Sequence, residues 1–359
     1  MKKNRIVIFG WADSVHVQRW CEGLSRRGYE IKLISVGGTP LDTVETVIFP
    51  RRNQFSYLKC LPAAKKEALK FSPDLIHAHY VAGNGLLAVW SGIKPLVASV
   101  WGADIIDLSG WPFHRWVINS VLKKATHITA TSEFLKKAAV ALNPIVAGKI
   151  SIIPFGVEVP DEIEPLPPHR PFKLCLVKSL RPKYGPDILL SALYEVKKQI
   201  PDIQLTMAGD GPMKERLEWI IKELGLERNV TLSGFVPNQA VYNLIRQHHA
   251  MVMPSIMDSE SFGVAAVEAG ACARPVIASR VGGVPEVIVD GQTGILVPPK
   301  NHLALAEAII KLASDDNLCD KMGREGYAFV REHYQWEKSL DSMCELYERV
   351  IYDSCQSKN

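Results

Sequence analysis

Residues 253–272, MPSIMDSESFGVAAVEAGAC, decide how the second half of the chain is read. The apolar run AMVM at 250–253 predicts a short buried strand that Pro254 and Ser255 end. A polar loop with Asp258 and Glu260 leads into a helix from about Phe262. That helix is almost wholly Ala, Val and Gly, a composition that predicts burial on nearly every side. Glu268 breaks the composition. An ionised carboxylate inside such a helix costs several kcal/mol unless hydrogen-bond donors meet it, and the vicinal hydroxyls of a ribose are suitable donors. The backbone amides of Ser261, Phe262, Gly263 and Val264 stand at the positive end of the helix dipole, and Gly263 lets a ligand approach the backbone closely. One helix could then hold a phosphate and a ribose. The competing reading is an ordinary strand–loop–helix unit of an α/β domain, with Glu268 on a surface stripe and Glu260 in solvent.

The same alternation extends outward in both directions. Residues 5–10 (RIVIFG) are apolar and β-branched, a helical pattern covers 15–28, and 31–35 (IKLIS) is the next strand. This βαβ opening predicts a parallel sheet. Buried strands follow at 74–80 (DLIHAHY) and 95–104 (PLVASVWGAD), and 127–132 (HITATS), a helix with LKKAAVAL and 149–159 (KISIIPFGVEV) complete this half. Residues 160–171, PDEIEPLPPHRP, hold five prolines, exclude regular structure and read as a linker. A second alternation begins at 172–179 (FKLCLVKS) and continues through 204–212 (QLTMAGDGP), 230–237 (VTLSGFVP) and 275–279 (PVIAS). It ends on helical patterns at about 303–329 and 337–352. The expected organisation is two Rossmann-like α/β domains, 1–159 and 172–334, with a tail at 335–359. Loop 10–16, GWADSVH, has one glycine where a dinucleotide-binding loop has Gly-x-Gly-x-x-Gly, which disfavours an oxidoreductase.

At 359 residues there is chain enough for two cores. No apolar run reaches the roughly 18 residues of a membrane span, and MKKNRIVIFGW lacks the apolar length and cleavage site of a signal peptide, so a cytosolic protein is expected. Seven cysteines without a Cys-x-x-Cys pair imply reduced thiols, with neither a disulfide framework nor a zinc site. Residues 1–158 carry 20 Lys and Arg against 11 Asp and Glu, whereas 159–359 carry 22 against 27, so the positive charge sits in the first half. An anionic partner would suit it. Two stretches there mix bases with aromatics: RRNQFSYLK at 51–59 and GWPFHRWVINSVLKK at 110–124. The second suits a membrane surface or a lipid-linked acceptor, and its rival reading is a helix packed on the sheet.

Glu260 and Glu268 form Glu-x7-Glu with Phe-Gly after the first Glu, flanked by Pro-Ser at 254–255, PVIAS at 275–279 and GGVPEV at 282–287. This resembles the donor-binding signature of retaining nucleotide-sugar glycosyltransferases of the GT-B fold, glycosyltransferase family 4. The resemblance covers nearly the whole chain and is strongest from 203 to 299. It implies a cleft between the two domains, with the last helix crossing back to the first. It places the loop of Asp13 and His16 near the acceptor and the transferred sugar. Trp101, Gly102 and Asp104 stand where family members often have His-Gly-x-Asp, with Trp101 in the histidine's place. The usual Gly-Arg pair is Lys178-Ser179 here, and Tyr184 stands where a lysine is usual, so Lys178, Arg181 and Lys183 are the expected cations for the diphosphate. Gly209, Asp210 and Gly211 match the family closely, and the nucleobase is expected near Val236.

On this resemblance a sugar moves from a nucleoside diphosphate sugar to an acceptor hydroxyl with retention, by front-side attack assisted by the leaving phosphate. Glu260, Asp104 and His16 are the expected catalytic set, Glu268 the ribose ligand, and Asp13, Trp101 and Gly102 acceptor contacts. The donor is a substrate and no cofactor is expected. The chain contains no Asp-x-Asp, so no metal is expected either. Expected partners are the donor, a sugar or lipid-linked sugar acceptor and an anionic membrane surface, not nucleic acid. A nucleotide-sugar 2-epimerase and a non-catalytic nucleotide- or polysaccharide-binding module are the alternatives.

Overall fold

The computed structural model describes residues 4–53 and 56–356; Phe55 of the 51–59 stretch and the first three residues lie outside them. The chain divides into two compact units, Met1–Phe155 with Glu337–Asn359, and Gly156–Trp336.

In the first unit β1 (Arg5–Phe9), β2 (Glu30–Val36), β3 (Glu45–Phe49), β4 (Leu75–His79), β5 (Leu96–Val100), β6 (His127–Ala130) and β7 (Ile150–Ile152) form one parallel sheet. Its order is β3-β2-β1-β4-β5-β6-β7. The winding reverses between β1 and β4, the place where open α/β sheets present their ligands beyond the strand carboxyl ends. Both faces are covered, which is why these strands are continuous apolar runs: Ile6, Val7, Ile8 and Phe9 are all buried. Helix Trp336–Gln356 supplies Tyr347, wholly buried, whose hydroxyl lies 2.5 Å from Nδ1 of His77 on β4. Arg27 also reaches that helix, 2.6 Å from Asp341, but this pair is exposed and contributes little. The buried tyrosine is the stronger tie.

In the second unit β8 (Lys173–Val177), β9 (Gln204–Ala208), β10 (Val230–Gly234), β11 (Ala250–Met253), β12 (Val276–Ser279) and β13 (Gly294–Val297) form a parallel sheet ordered β10-β9-β8-β11-β12-β13. Its winding reverses between β8 and β11. Helix Val264–Ala271 has Ala265, Ala266, Val267, Ala269, Gly270 and Ala271 buried, as its composition predicts, although it starts at Val264 rather than Phe262.

The proline-rich stretch is no free tether. Arg274, 1 % exposed, donates from Nη1 to Glu164 O (3.1 Å) and from Nη2 to Pro165 O (2.9 Å), while its Nε donates to His248 O (2.8 Å). The residues that avoid regular structure are thus fastened to the second unit by a buried guanidinium. The single helical pattern at 303–329 proves to be two helices, His302–Ala313 and Asp316–His333. Asp315 separates them by accepting from Leu318 N at 2.9 Å, a side-chain cap that starts a new helix whatever the apolar spacing. All seven cysteines are free. Among the described residues no helix is long and apolar enough to cross a membrane.

Candidate functional site

The charged group of the second unit is assembled from the loops that follow β8, β9 and β11. Lys178 is the first residue after β8, and its backbone N–H donates to Ala208 O at 3.0 Å, which fixes where its side chain leaves the sheet. Glu260 lies in the loop after β11. Its carboxylate, 8 % exposed, sits 2.7 Å from Lys178 Nζ and accepts from Ser255 Oγ at 3.3 Å. Burial alone would lower the Lys178 ammonium, but Glu260 beside it, with Tyr184 and then Glu268 adding, holds it above the ordinary lysine range. Removing one would strand the other, at a cost of about 3–5 kcal/mol for a buried pair.

Glycines let the loops close on this group. A Cβ on Gly209, whose φ is +150°, would lie 1.9 Å from Lys178 O, and one on Gly283 would lie 2.0 Å from Ser261 O. Gly211 is also too close for a side chain, with a Cβ there 2.5 Å from Leu180 O. Asp210 organises its own turn, accepting from Gly211 N at 2.8 Å. Asp258 accepts from Gly282 N at 3.0 Å, and Gly283 N donates to Glu260 O at 3.1 Å, so the GGVPEV segment cradles the Glu260 loop.

The other expected donor residues divide. Ser261, Phe262 and Gly263 are buried, with Gly263 left-handed (φ 89°) at the helix start, and Val264 and Glu268 are half-buried on the helix. The Phe262 ring packs edge-on to Tyr334 at 5.5 Å, which leaves its backbone, not its side chain, for a ligand. Lys183 lies 5.2 Å from the Tyr184 ring. Arg181 is exposed and makes no ion pair among the described residues. Val236 is half-buried just past the end of β10.

The first unit offers a different chemistry at its own switch point. His16 stacks on Phe155 (centroids 4.1 Å, 17° between planes) and meets the edge of Trp101 at 5.9 Å. Trp101 in turn lies 4.9 Å from the ring of His79, the last residue of β4. His79 is buried among these rings. Burial first, and then His16, push its pKa down to about 3, so the ring is neutral. His79 Nε2 faces His77 Nδ1 at 3.3 Å, while His77 Nε2 meets Ser99 Oγ at 2.7 Å and Ser99 Oγ meets Thr129 Oγ1 at 2.6 Å.

Asp104 belongs to the scaffold of this group. Wholly buried, it accepts from Val81 N (3.0 Å), Trp101 N (3.1 Å) and Gly102 N (2.8 Å), tying the loops after β4 and β5 together. Gly102, with φ +133°, makes that turn possible. Asp13, exposed, accepts from Thr39 N at 2.8 Å and joins the loops after β1 and β2. The structure thus brings His16 and Trp101 together, and gives Asp13 and Asp104 loop-holding bonds. His79, His77, Ser255 and Tyr184 were not singled out as site residues. The signal for the histidines is visible in DLIHAHY: two polar rings at alternate positions of a buried strand share one face.

Comparisons with known proteins agree with this architecture. The family described as Glycosyl transferases group 1 matches residues 160–329, and that described as Glycosyl transferase 4-like matches residues 5–132. A GDP-mannose-dependent alpha-(1-6)-phosphatidylinositol monomannoside mannosyltransferase of Mycolicibacterium smegmatis is 30% identical over 287 residues, 73% of this chain and 72% of that one. Among solved structures, sucrose-phosphate synthase from Thermosynechococcus elongatus superposes with a TM-score of 0.85 at 22% identity, covering 98% of this chain and 100% of the other. Anabaena HepE in complex with UDP and glucose gives a TM-score of 0.81 at 19% identity, over 96% and 99%. These two likenesses speak for the fold alone.

Proposed function

We propose, from the premise that the chain belongs to the glycosyl transferases group 1 family and is a glycosyltransferase of the GT-B fold, that it moves a sugar from a UDP or GDP sugar to an acceptor hydroxyl with retention of configuration. The observation that carries the donor half is the Lys178–Glu260 ion pair, 2.7 Å apart with the carboxylate nearly buried, at the carboxyl edge of the second sheet. Cleaving a glycosyl phosphate puts charge on the leaving diphosphate. An ammonium already fixed in place, together with the backbone amides around Gly263, would stabilise that charge without reorganising. Lys183 adds a second cation. Glu260 would hold sugar hydroxyls while keeping Lys178 oriented, and Glu268 would accept from the ribose. The leaving phosphate would take the proton of the attacking hydroxyl on the same face of the sugar. No metal enters this account, so EDTA should leave the rate unchanged.

The acceptor is assigned to the first unit, near His16 and Trp101, with a sugar or lipid-linked sugar as its class and cell-surface glycan synthesis as its setting. A place at the cytoplasmic face of a membrane fits helix Pro112–Lys124. Trp111, Phe113 and Trp116 are 67 %, 54 % and 64 % exposed beside Arg115, while Val117, Ile118, Val121 and Leu122 are buried on the sheet. Aromatic rings with adjacent basic groups partition into an anionic interface. Flotation with anionic vesicles at low salt tests this, and a protein that stays at the bottom of the gradient removes it.

The deciding experiment is a panel of UDP and GDP sugars, with nucleoside diphosphate release followed with and without lipid-linked acceptors. Acceptor-dependent release is expected. Consumption of the donor with no acceptor would point instead to a 2-epimerase, and binding without any release to a non-catalytic module.

A further inference from the structure

Tyr184 places an aromatic ring in the charged group of the second unit. Its ring lies 4.7 Å from Lys178 Nζ and 5.2 Å from Lys183 Nζ, so one aromatic group serves two ammonium groups. Lys178 is simultaneously bound to Glu260 at 2.7 Å. Two like charges this close to a common ring repel each other, and the negative potential of a π face is one of the few uncharged features that offsets such repulsion.

The backbone that carries the ring is held firmly. Ile256 N donates to Lys183 O at 2.9 Å, joining the Pro182–Tyr184 turn to the loop after β11. Gly185 follows with φ +61°, and a Cβ there would lie 2.2 Å from Pro254 O, so the turn sits directly against that loop. The backbone carrying Tyr184 and the backbone leading to Glu260 are therefore fixed to one another. Lys178, arriving from β8, finds a ring on one side and a carboxylate on another.

We propose that Tyr184 is a positioning residue whose ring holds the ammonium groups of Lys178 and Lys183 where the two phosphates of a nucleoside diphosphate meet them. Tyr184 does the work of a cation by gathering two neighbouring ones. This rests on the donor reading given above. It predicts that the ring matters and the hydroxyl does not, which separates it from a tyrosine that merely fills space or donates a hydrogen bond.

The test measures, by calorimetry, the binding of inorganic pyrophosphate, UDP and GDP to the wild-type chain and to Tyr184→Phe and Tyr184→Leu, each checked for an unchanged melting curve. Tyr184→Phe should bind within about twofold of wild type, and Tyr184→Leu about fivefold more weakly for pyrophosphate and nucleotide alike, the loss of roughly one cation–π contact. In turnover, the Leu variant should lower kcat/KM for the donor by at least a similar factor, because the ammonium groups it holds meet the diphosphate both before and during bond breaking. Nucleotide binding by wild type with no loss in Tyr184→Leu, or an equal loss in Tyr184→Phe, overturns the role of the ring and leaves the donor reading standing. Pyrophosphate binding that weakens in Tyr184→Leu, with no binding of UDP or GDP to any form, keeps the ring's role and overturns the donor reading. Failure of all three ligands to bind wild type overturns both.

Discussion

At the switch point of the first sheet stand imidazoles and an indole packed against one another, with His79 kept neutral by burial, whereas at that of the second stand an ammonium, a carboxylate and closely approaching glycines. The topology is the same, with winding that reverses at the first and fourth strands of each sheet. The contrast extends to how each unit secures a distant stretch of its own chain. The first fastens its C-terminal helix with the uncharged Tyr347 hydroxyl, and the second fastens its proline-rich segment with the Arg274 guanidinium. A shared architecture fixes where a ligand can sit, and the side chains at the strand ends decide whether that place attracts a diphosphate or a neutral hydroxyl-bearing molecule.

The sharpest break of this contrast is Arg274→Met. The side chain fits the volume but leaves the carbonyls of His248, Glu164, Pro165 and Arg246 without their donor in a buried place. Several stranded acceptors should cost about 3–5 kcal/mol, read as a lower urea midpoint for the second unit. A loss below about 1 kcal/mol would mean that water enters to replace the guanidinium and that the segment is not anchored there.

Next in size is Lys178→Met, which leaves Glu260 buried without its ammonium and takes one fixed charge from the proposed donor site. Turnover should fall by about 100-fold or more, the scale seen when one preorganised electrostatic group is removed. His16→Ala, in the neutral group, should weaken acceptor use while leaving nucleotide binding intact. If Lys178→Met kept full rate and His16→Ala lost nucleotide binding, the assignment of charged and neutral sites would be reversed.

Acid should act on the neutral group. His79, with a folded pKa of about 3, and His77, held well below its ordinary value by burial, stay unprotonated in the folded chain. In the unfolded chain both bind protons below about pH 6.5. The stability they contribute is therefore present above that pH and is lost as pH falls toward the folded values, with a slope of about 1.4 kcal/mol per pH unit for each ring. Asp104 runs the other way. Burial raises its carboxyl to about 6, against hydrogen bonds from Val81, Trp101 and Gly102, so its protonated form favours the folded chain and that contribution disappears as pH rises through 6. Between about pH 4 and 6 two histidines outweigh one aspartate, and acidification should destabilise the first unit by about 1.4 kcal/mol per unit. His127, lowered to about 4, adds to the same trend in the first unit, so the share of His79 is the difference between wild type and His79→Gln. Equal slopes for the two proteins would show that His79 is protonated in the folded chain.

Much of the scaffold is legible in the sequence because parallel strands covered on both faces are apolar runs, as in IVIF at 6–9 and LCLV at 174–177. The small-residue helix around Glu268 is legible for the same reason. The Lys178–Glu260 pair is less so: each residue stands out, but only the sheet order, with β8 beside β11, makes them partners. The break at Asp315 is hidden because the apolar spacing continues across it while the capping side chain acts locally. Tyr184 reads as a lost lysine in the sequence. Only the placement of two ammonium groups over its ring gives it a purpose.

The smallest effect expected is that of Tyr347→Phe, and it tests whether the neutral tie resembles the charged one in kind. One consistent set of donors runs from the Tyr347 hydroxyl to His77 Nδ1, from His77 Nε2–H to Ser99 Oγ and from Ser99 to Thr129. Deleting the hydroxyl removes one donor at the head of that chain and leaves His77 Nδ1 facing His79 alone, at 3.3 Å. The loss should be about 1 kcal/mol, well short of that for Arg274→Met, because a single neutral hydrogen bond is replaced by a ring of nearly the same shape. The acid slope carries the stronger test. With its partner oxygen gone, His77 is freer to take a proton in the folded chain, so Tyr347→Phe should lose less stability than wild type between pH 6.5 and 5 while starting lower. A variant that begins lower and keeps the full slope would place the hydroxyl outside the histidine network and leave helix packing alone to hold the C-terminus on the first unit.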